Sequence, residues 1–183
     1  MKIRLKNIIL GIILGVIFSG CISKEVLPVS YYQLEIPYKE VNCKSIQVYH
    51  WLGVEAVEKI NTQKIAYRQS PNEVAYFAKN QWIESLPDML DSLMLKAAHQ
   101  SCINLVESKD LARDSLKLYV LDFSYDEVSN RVLFEAKLQK NAKVSKTLWI
   151  YRDEVVPEGD FQEIIKTMNA VILDGYFQAF LQM

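Results

Sequence analysis

The chain predicts an α+β domain in which an antiparallel β-sheet carries two amphipathic helices packed on one face. Three observations lead there. Apolar residues alternate at period two in several β-rich runs, the signature of strands with one buried face. Two further stretches repeat apolar residues at helical spacing behind capping signatures. A Ser-Pro-Asn turn separates two β-rich arms, which reads as a hairpin.

The first 21 residues, MKIRLKNIILGIILGVIFSGC, precede this domain. Lys2, Arg4 and Lys6 open them, an apolar run extends from Ile8 to Phe18, and Ser19 and Gly20 stand directly before Cys21. A basic start, a short apolar run and small residues at the cut describe a secretory signal over residues 1–20. As a helix the run would span only about 16 Å, against about 30 Å for a bilayer core, so a permanent transmembrane anchor does not fit. Cysteine at the cut resembles the lipobox of bacterial lipoproteins, whose thiol is joined to diacylglycerol. Each buried methylene adds about 0.8 kcal/mol, so acyl chains on Cys21 would hold the chain on a membrane. Ile22 stands where an Asp would retain a Gram-negative lipoprotein at the inner membrane. The expected location is therefore the outer membrane, facing the periplasm. Residues 21–30 form a lipidated tether, reaching about 30 Å if extended, and residues 31–183 form a single domain.

Within the domain, Tyr31 to Ile36 reads as a strand ended by Pro37, and Lys44 to Trp51 as a second. In the second, Ile46, Val48 and His50 point one way and Gln47, Tyr49 and Trp51 the other. Leu52-Gly53-Val54 leaves this strand, and residues 55–62 read as a loop or single turn. The hairpin pairs Lys64–Arg68 with Val74–Ala78. Helix one starts at Ser85 with Pro87 in its first turn and Asp88 completing Ser-x-x-Asp. Its apolar face is Leu86, Met89, Leu90, Leu93, Met94, Ala97 and Ala98, and it fades near Ser101 or Cys102. After a charged connection, residues 107–114, three runs around 116–120, 132–138 and 144–152 read as an antiparallel meander. Helix two starts at Asp160, with Glu163 completing Asp-x-x-Glu. Phe161, Ile164, Ile165, Met168, Val171, Ile172 and Phe180 form its apolar stripe, and Gly175 marks close packing or a bend.

Composition restricts the function. Without the signal the chain has 18 Lys and Arg against 22 Asp and Glu, and no basic run, so nucleic acid is not expected as a partner. His50 and His99 lack metal-ligand spacing, and no catalytic elbow, phosphate loop or dinucleotide fingerprint occurs. No metal, cofactor or catalytic residue is expected, and the chain does not read as an enzyme. Cys43 and Cys102 are either a disulfide, permitted by an oxidising compartment, or two buried thiols. Ten Tyr, seven Phe and three Trp are the unusual feature. Tyr49, Trp51, Tyr67 and Tyr76 either pack the core or line a surface for a partner or lipid.

Ile65 to Phe77 (IAYRQSPNEVAYF), then Gln81-Trp82 and Pro87-Asp88-Met89-Leu90, resembles the ABC-type transport auxiliary lipoprotein family. Tyr31-Tyr32-Gln33-Leu34 is similar to its first strand. These lipoproteins accompany mammalian-cell-entry (MCE) type lipid transporters and include the paraquat-inducible protein C group. The resemblance implies an accessory of an MCE-domain protein, a permease and an ATPase on other chains, handling phospholipid or docking the transporter, and forming a homo-oligomer. It supplies no catalytic residue, because the matching residues are a turn, a tryptophan and a helix start. The competing class is a scaffolding lipoprotein that binds an outer-membrane protein or envelope polymer without moving lipid.

Overall fold

The computed structural model describes residues 28–183; the signal, Cys21 and most of the tether lie outside the described residues. In chain order the elements are β1 (Ser30–Tyr32), β2 (Gln47–Ala56), β3 (Lys64–Ser70), β4 (Glu73–Trp82), α1 (Leu86–Gln100), β5 (Ile103–Val106), β6 (Ser115–Asp126), β7 (Arg131–Asn141), β8 (Lys146–Val155) and α2 (Phe161–Leu181). Short 3-10 turns at Glu58–Ile60 and Lys109–Leu111 follow β2 and β5.

The eight described strands form one sheet, so the class is α+β, but the sheet is mixed where wholly antiparallel pairing was expected. The β3–β4 hairpin and the β6–β7–β8 meander are antiparallel. Four other pairs are parallel: β1 with β4, β2 with β5, β2 with β6, and β3 with β6. The antiparallel pairs join sequence neighbours through tight turns, whereas the parallel pairs join strands brought together by longer connections. Period-two patterning fixes which face a side chain takes and leaves the partner strand open.

Strand register places both helices on one face. Trp51 pairs with Leu116, Leu118 with Leu138, and Ala136 with Ile150, so these residues share a side. α1 reaches that side through Asp91, which accepts the Trp51 indole N–H at 2.7 Å. α2 reaches it at Gly175, where an added Cβ would stand 2.8 Å from Ile150 Cγ2 and 3.3 Å from Phe134 Cε1. This glycine marks close packing of helix on sheet, since the helix runs unbroken through it. The seven residues expected on the α1 apolar face are all buried. An aromatic row of Trp82, Phe123, Phe134 and Tyr176, with centroids about 6 Å apart in successive pairs, runs through the core.

Several local expectations change. The first strand is only three residues long, and Leu34 and Ile36 beyond it are nonetheless buried. There the Glu35 N–H and C=O bond the Asn169 side chain of α2, each at 2.8 Å, which satisfies the backbone without a ladder partner. β2 does not stop at Trp51. It runs to Ala56 through a register shift containing Gly53 at φ +81°, a conformation glycine adopts without penalty. Its core-facing side is that of Tyr49 and Trp51, while Ile46 and Val48 are exposed. Ser85 does not accept from the helix backbone; its hydroxyl donates to Asp88 instead. Asp160 does cap α2, accepting the Gln162 N–H at 2.8 Å.

Candidate functional surface

The four aromatics do not converge on one surface. Tyr49 is buried, donating to Gln47 at 2.7 Å and accepting from Lys140 at 3.2 Å, with the Lys140 ammonium 4.9 Å from its ring centre. Trp51 is buried under α1. Tyr67 packs its ring 4.5 Å from that of Phe77, which in turn meets Phe161 of α2 at 4.8 Å. Tyr76 alone among them is open to solvent, donating to the Lys59 carbonyl at 2.8 Å beneath the Lys64 ammonium.

Cys43 and Cys102 are joined in a disulfide, with Cα atoms 5.5 Å apart. Cys102 takes φ 58° in the turn after α1, and the bridge pins the irregular segment 33–46 there. A second pin is the Gln100 amide, which donates to the Pro37 carbonyl at 2.6 Å. Between the segment and α1 lie two cavities of about 400 and 530 Å³ that share Leu95 and His99. Tyr38, Lys39 and Lys96 rim the first, and Val41, Ile46 and Leu105 line the second. Leu95 is 43% exposed and lies off the buried stripe of its helix. An apolar residue off that stripe, followed by Lys96 and His99, was the sequence signal for this groove.

A polar cluster sits on the opposite side of the sheet. Asp122 of β6, only 3% exposed, pairs with Lys59 and Arg68, and Ser124 donates to it at 2.7 Å. Nearby, the Asp126 carboxylate accepts the Ser129 and Val128 N–H groups at 3.1 and 2.9 Å. These backbone donors, the Ser129 N–H foremost, with the Arg68 charge, hold its pKa below the usual carboxylate value. In the core, burial pushes the Tyr176 hydroxyl well above its ordinary pKa, and Asp91 adds to this. His50 and His99 remain apart, on β2 and α1. Among the described residues no group of three His, Cys, Asp or Glu could hold a metal, and no helix is long and apolar enough to cross a membrane.

This arrangement offers an apolar groove with a basic rim and a structural ion cluster. A family model described as the ABC-type transport auxiliary lipoprotein component matches residues 32–169. The chain belongs to that family. Every element from β2 to β8, together with the first half of α2, falls within the match, including both walls of the groove. The auxiliary lipoprotein fold recurs in solved structures at low identity. One, a crystal structure of an uncharacterized protein, has a TM-score of 0.72 at 13% identity, covering 85% of this chain and 98% of its own. Another, from Xanthomonas campestris and assigned to DUF330, has a TM-score of 0.64 at 14% identity, covering 82% and 92% respectively. Comparison with curated proteins found no match. The family is described as an auxiliary component of ABC-type transport.

Proposed function

We propose that this auxiliary lipoprotein is a non-enzymatic component of an MCE-type lipid transport system, anchored by acyl chains on Cys21 to the outer membrane and facing the periplasm. It docks the transporter's extracytoplasmic parts there and offers a surface to the phospholipid they carry. The ATPase, permease and MCE-domain subunits are separate chains. The family match over residues 32–169 carries this reading, and the position of Cys21 nine residues before β1 supports the anchoring. A chain held by acyl groups and free of cofactor motifs suits docking better than turnover.

Cross-linking in intact cells followed by purification of the lipoprotein tests the reading. The expected partners are the MCE-domain subunit, the permease and the ATPase. Recovery of none of them, with envelope lipid balance unchanged on deletion, overturns it. One observation favours the scaffolding alternative: β8 is a ten-residue edge strand bearing Trp149 and Tyr151, 66% and 58% exposed. Such an edge can accept a partner strand, and recovery of an outer-membrane protein in place of transporter subunits would establish that role.

A further inference from the structure

We propose that the groove between α1 and the disulfide-pinned segment binds one acyl chain of an anionic phospholipid. This deepens the lipid-handling part of the reading above and rests on it.

The two cavities differ in chemistry along the groove. Lys39 and Lys96 stand at the first, and neither forms a salt bridge among the described residues. No acidic side chain lines either cavity. The second, lined by the disulfide, Val41, Ile46 and Leu105, also presents His99 and Asn104 and is the more polar of the two. Leu95 bridges the two. An anionic head group at the exposed Lys39 and Lys96 ammoniums therefore leaves the tail to lie against Ile36, Tyr38 and Leu95 of the first cavity, the more apolar of the two. Each cavity falls in the size range of about 300–1,000 Å³ typical of small-molecule sites. The walls are fixed on both sides: α1 is anchored in the core, and the segment opposite is held at Pro37 and Cys43. A peptide would need hydrogen-bond partners along its length. The Gln100 amide is already committed to Pro37, so a ligand polar at one end only suits the lining better.

The experiment uses the intact lipoprotein in its native membrane, with the photoreactive residue p-benzoylphenylalanine at position 95 and, separately, at position 38. Tyr38 is 85% exposed and already aromatic, so the second position stands independently of any folding defect from the first. A control carries the probe at position 128, 75% exposed in the β6–β7 turn. After irradiation and digestion, peptide mass spectrometry reads the adduct. The expected result is a lipid adduct at 95 or 38 and not at 128, reduced at least tenfold by combined Lys39→Glu and Lys96→Glu. The head-group mass identifies the occupant: an anionic phospholipid is expected, and a free fatty acid overturns the proposal. Equal labelling at 128, insensitivity to the lysine changes, a zwitterionic lipid, a protein adduct or no adduct overturns the proposal. If transporter subunits still co-purify in that case, the docking function stands and only the groove assignment falls.

Discussion

Asp122 shows how one irregularity in a strand redirects its chemistry. Continuing the alternation of Leu116, Leu118 and Val120 would point position 122 into the helix-facing core. A bulge between Val120 and Asp122 reverses the sequence of faces, so Phe123 pairs with Phe134 in the core and Asp122 turns outward. The phase change is written in the sequence, where apolar Leu121, Phe123 and Tyr125 succeed Leu116, Leu118 and Val120. Lys59 and Arg68 come from other elements, however, so the Lys59–Arg68–Asp122 cluster could not be read from it. A buried carboxylate persists only when paired, and removing one partner of such a cluster leaves the others uncompensated. Asp122→Ala should therefore cost about 3 kcal/mol, the low end for a buried pair because both cations are partly exposed. Urea unfolding measures this, and a loss under about 1 kcal/mol would place the pair among ordinary surface salt bridges. Asp126 gives a pH signature of known sign. Its folded pKa lies below the unfolded value of about 3.9, so ionisation adds stability that is complete above that value and is lost as pH falls through the folded pKa. The stability gap between wild type and Asp126→Ala should narrow on acidification from about pH 5 to about pH 2. A constant gap would show that the ionised carboxylate is not its source.

At the scale of elements, what the sequence revealed and what it concealed follow from different physics. The apolar face of α1 was legible residue by residue because helical spacing encodes burial directly. The hairpin and meander were legible because turn residues separate them. β5 was not: four residues directly after a helix are too few to establish a period, and their burial comes from parallel pairing with β2. The groove was hidden for a related reason, since one wall is irregular chain held by side-chain bonds and a disulfide. Its sequence trace was Leu95 standing off the stripe, followed by Lys96 and His99. The disulfide should therefore matter to the groove and to folding alike. It closes a separation of 59 residues, for which loop-closure entropy gives about 4 kcal/mol. Combined Cys43→Ser and Cys102→Ser should lower stability by up to that amount, read by urea unfolding beside the oxidised wild type. Hydrogen exchange should show the loss of protection concentrated in segment 36–46 and the end of α1. Unchanged exchange there would mean that the Gln100–Pro37 bond alone holds the wall.

At the scale of the whole molecule, the proposed anchor and the described fold lie in separate parts of the chain. Every described element begins at or after Ser30, while the proposed anchor is Cys21. Nine residues of extended chain reach about 30 Å, so acylation would keep β1, and the edge of the sheet it forms with β4, within that distance of the membrane. Two or more acyl chains bind a bilayer stably where a single one binds marginally, and no helix among the described residues is long and apolar enough to cross a membrane. Cys21→Ala should therefore leave the melting temperature of the domain unchanged and remove the protein from the outer-membrane fraction. Docking at the membrane should fail with it, because a freely diffusing domain loses the effective concentration that tethering supplies. Sucrose-gradient fractionation together with thermal unfolding of the same variant separates the two effects. If the variant still fractionates with the outer membrane, attachment resides in the folded surface, and the exposed face around β8 becomes the place to look for it. If it instead unfolds at lower temperature, residues before Ser30 take part in the fold, and anchor and domain are not independent parts.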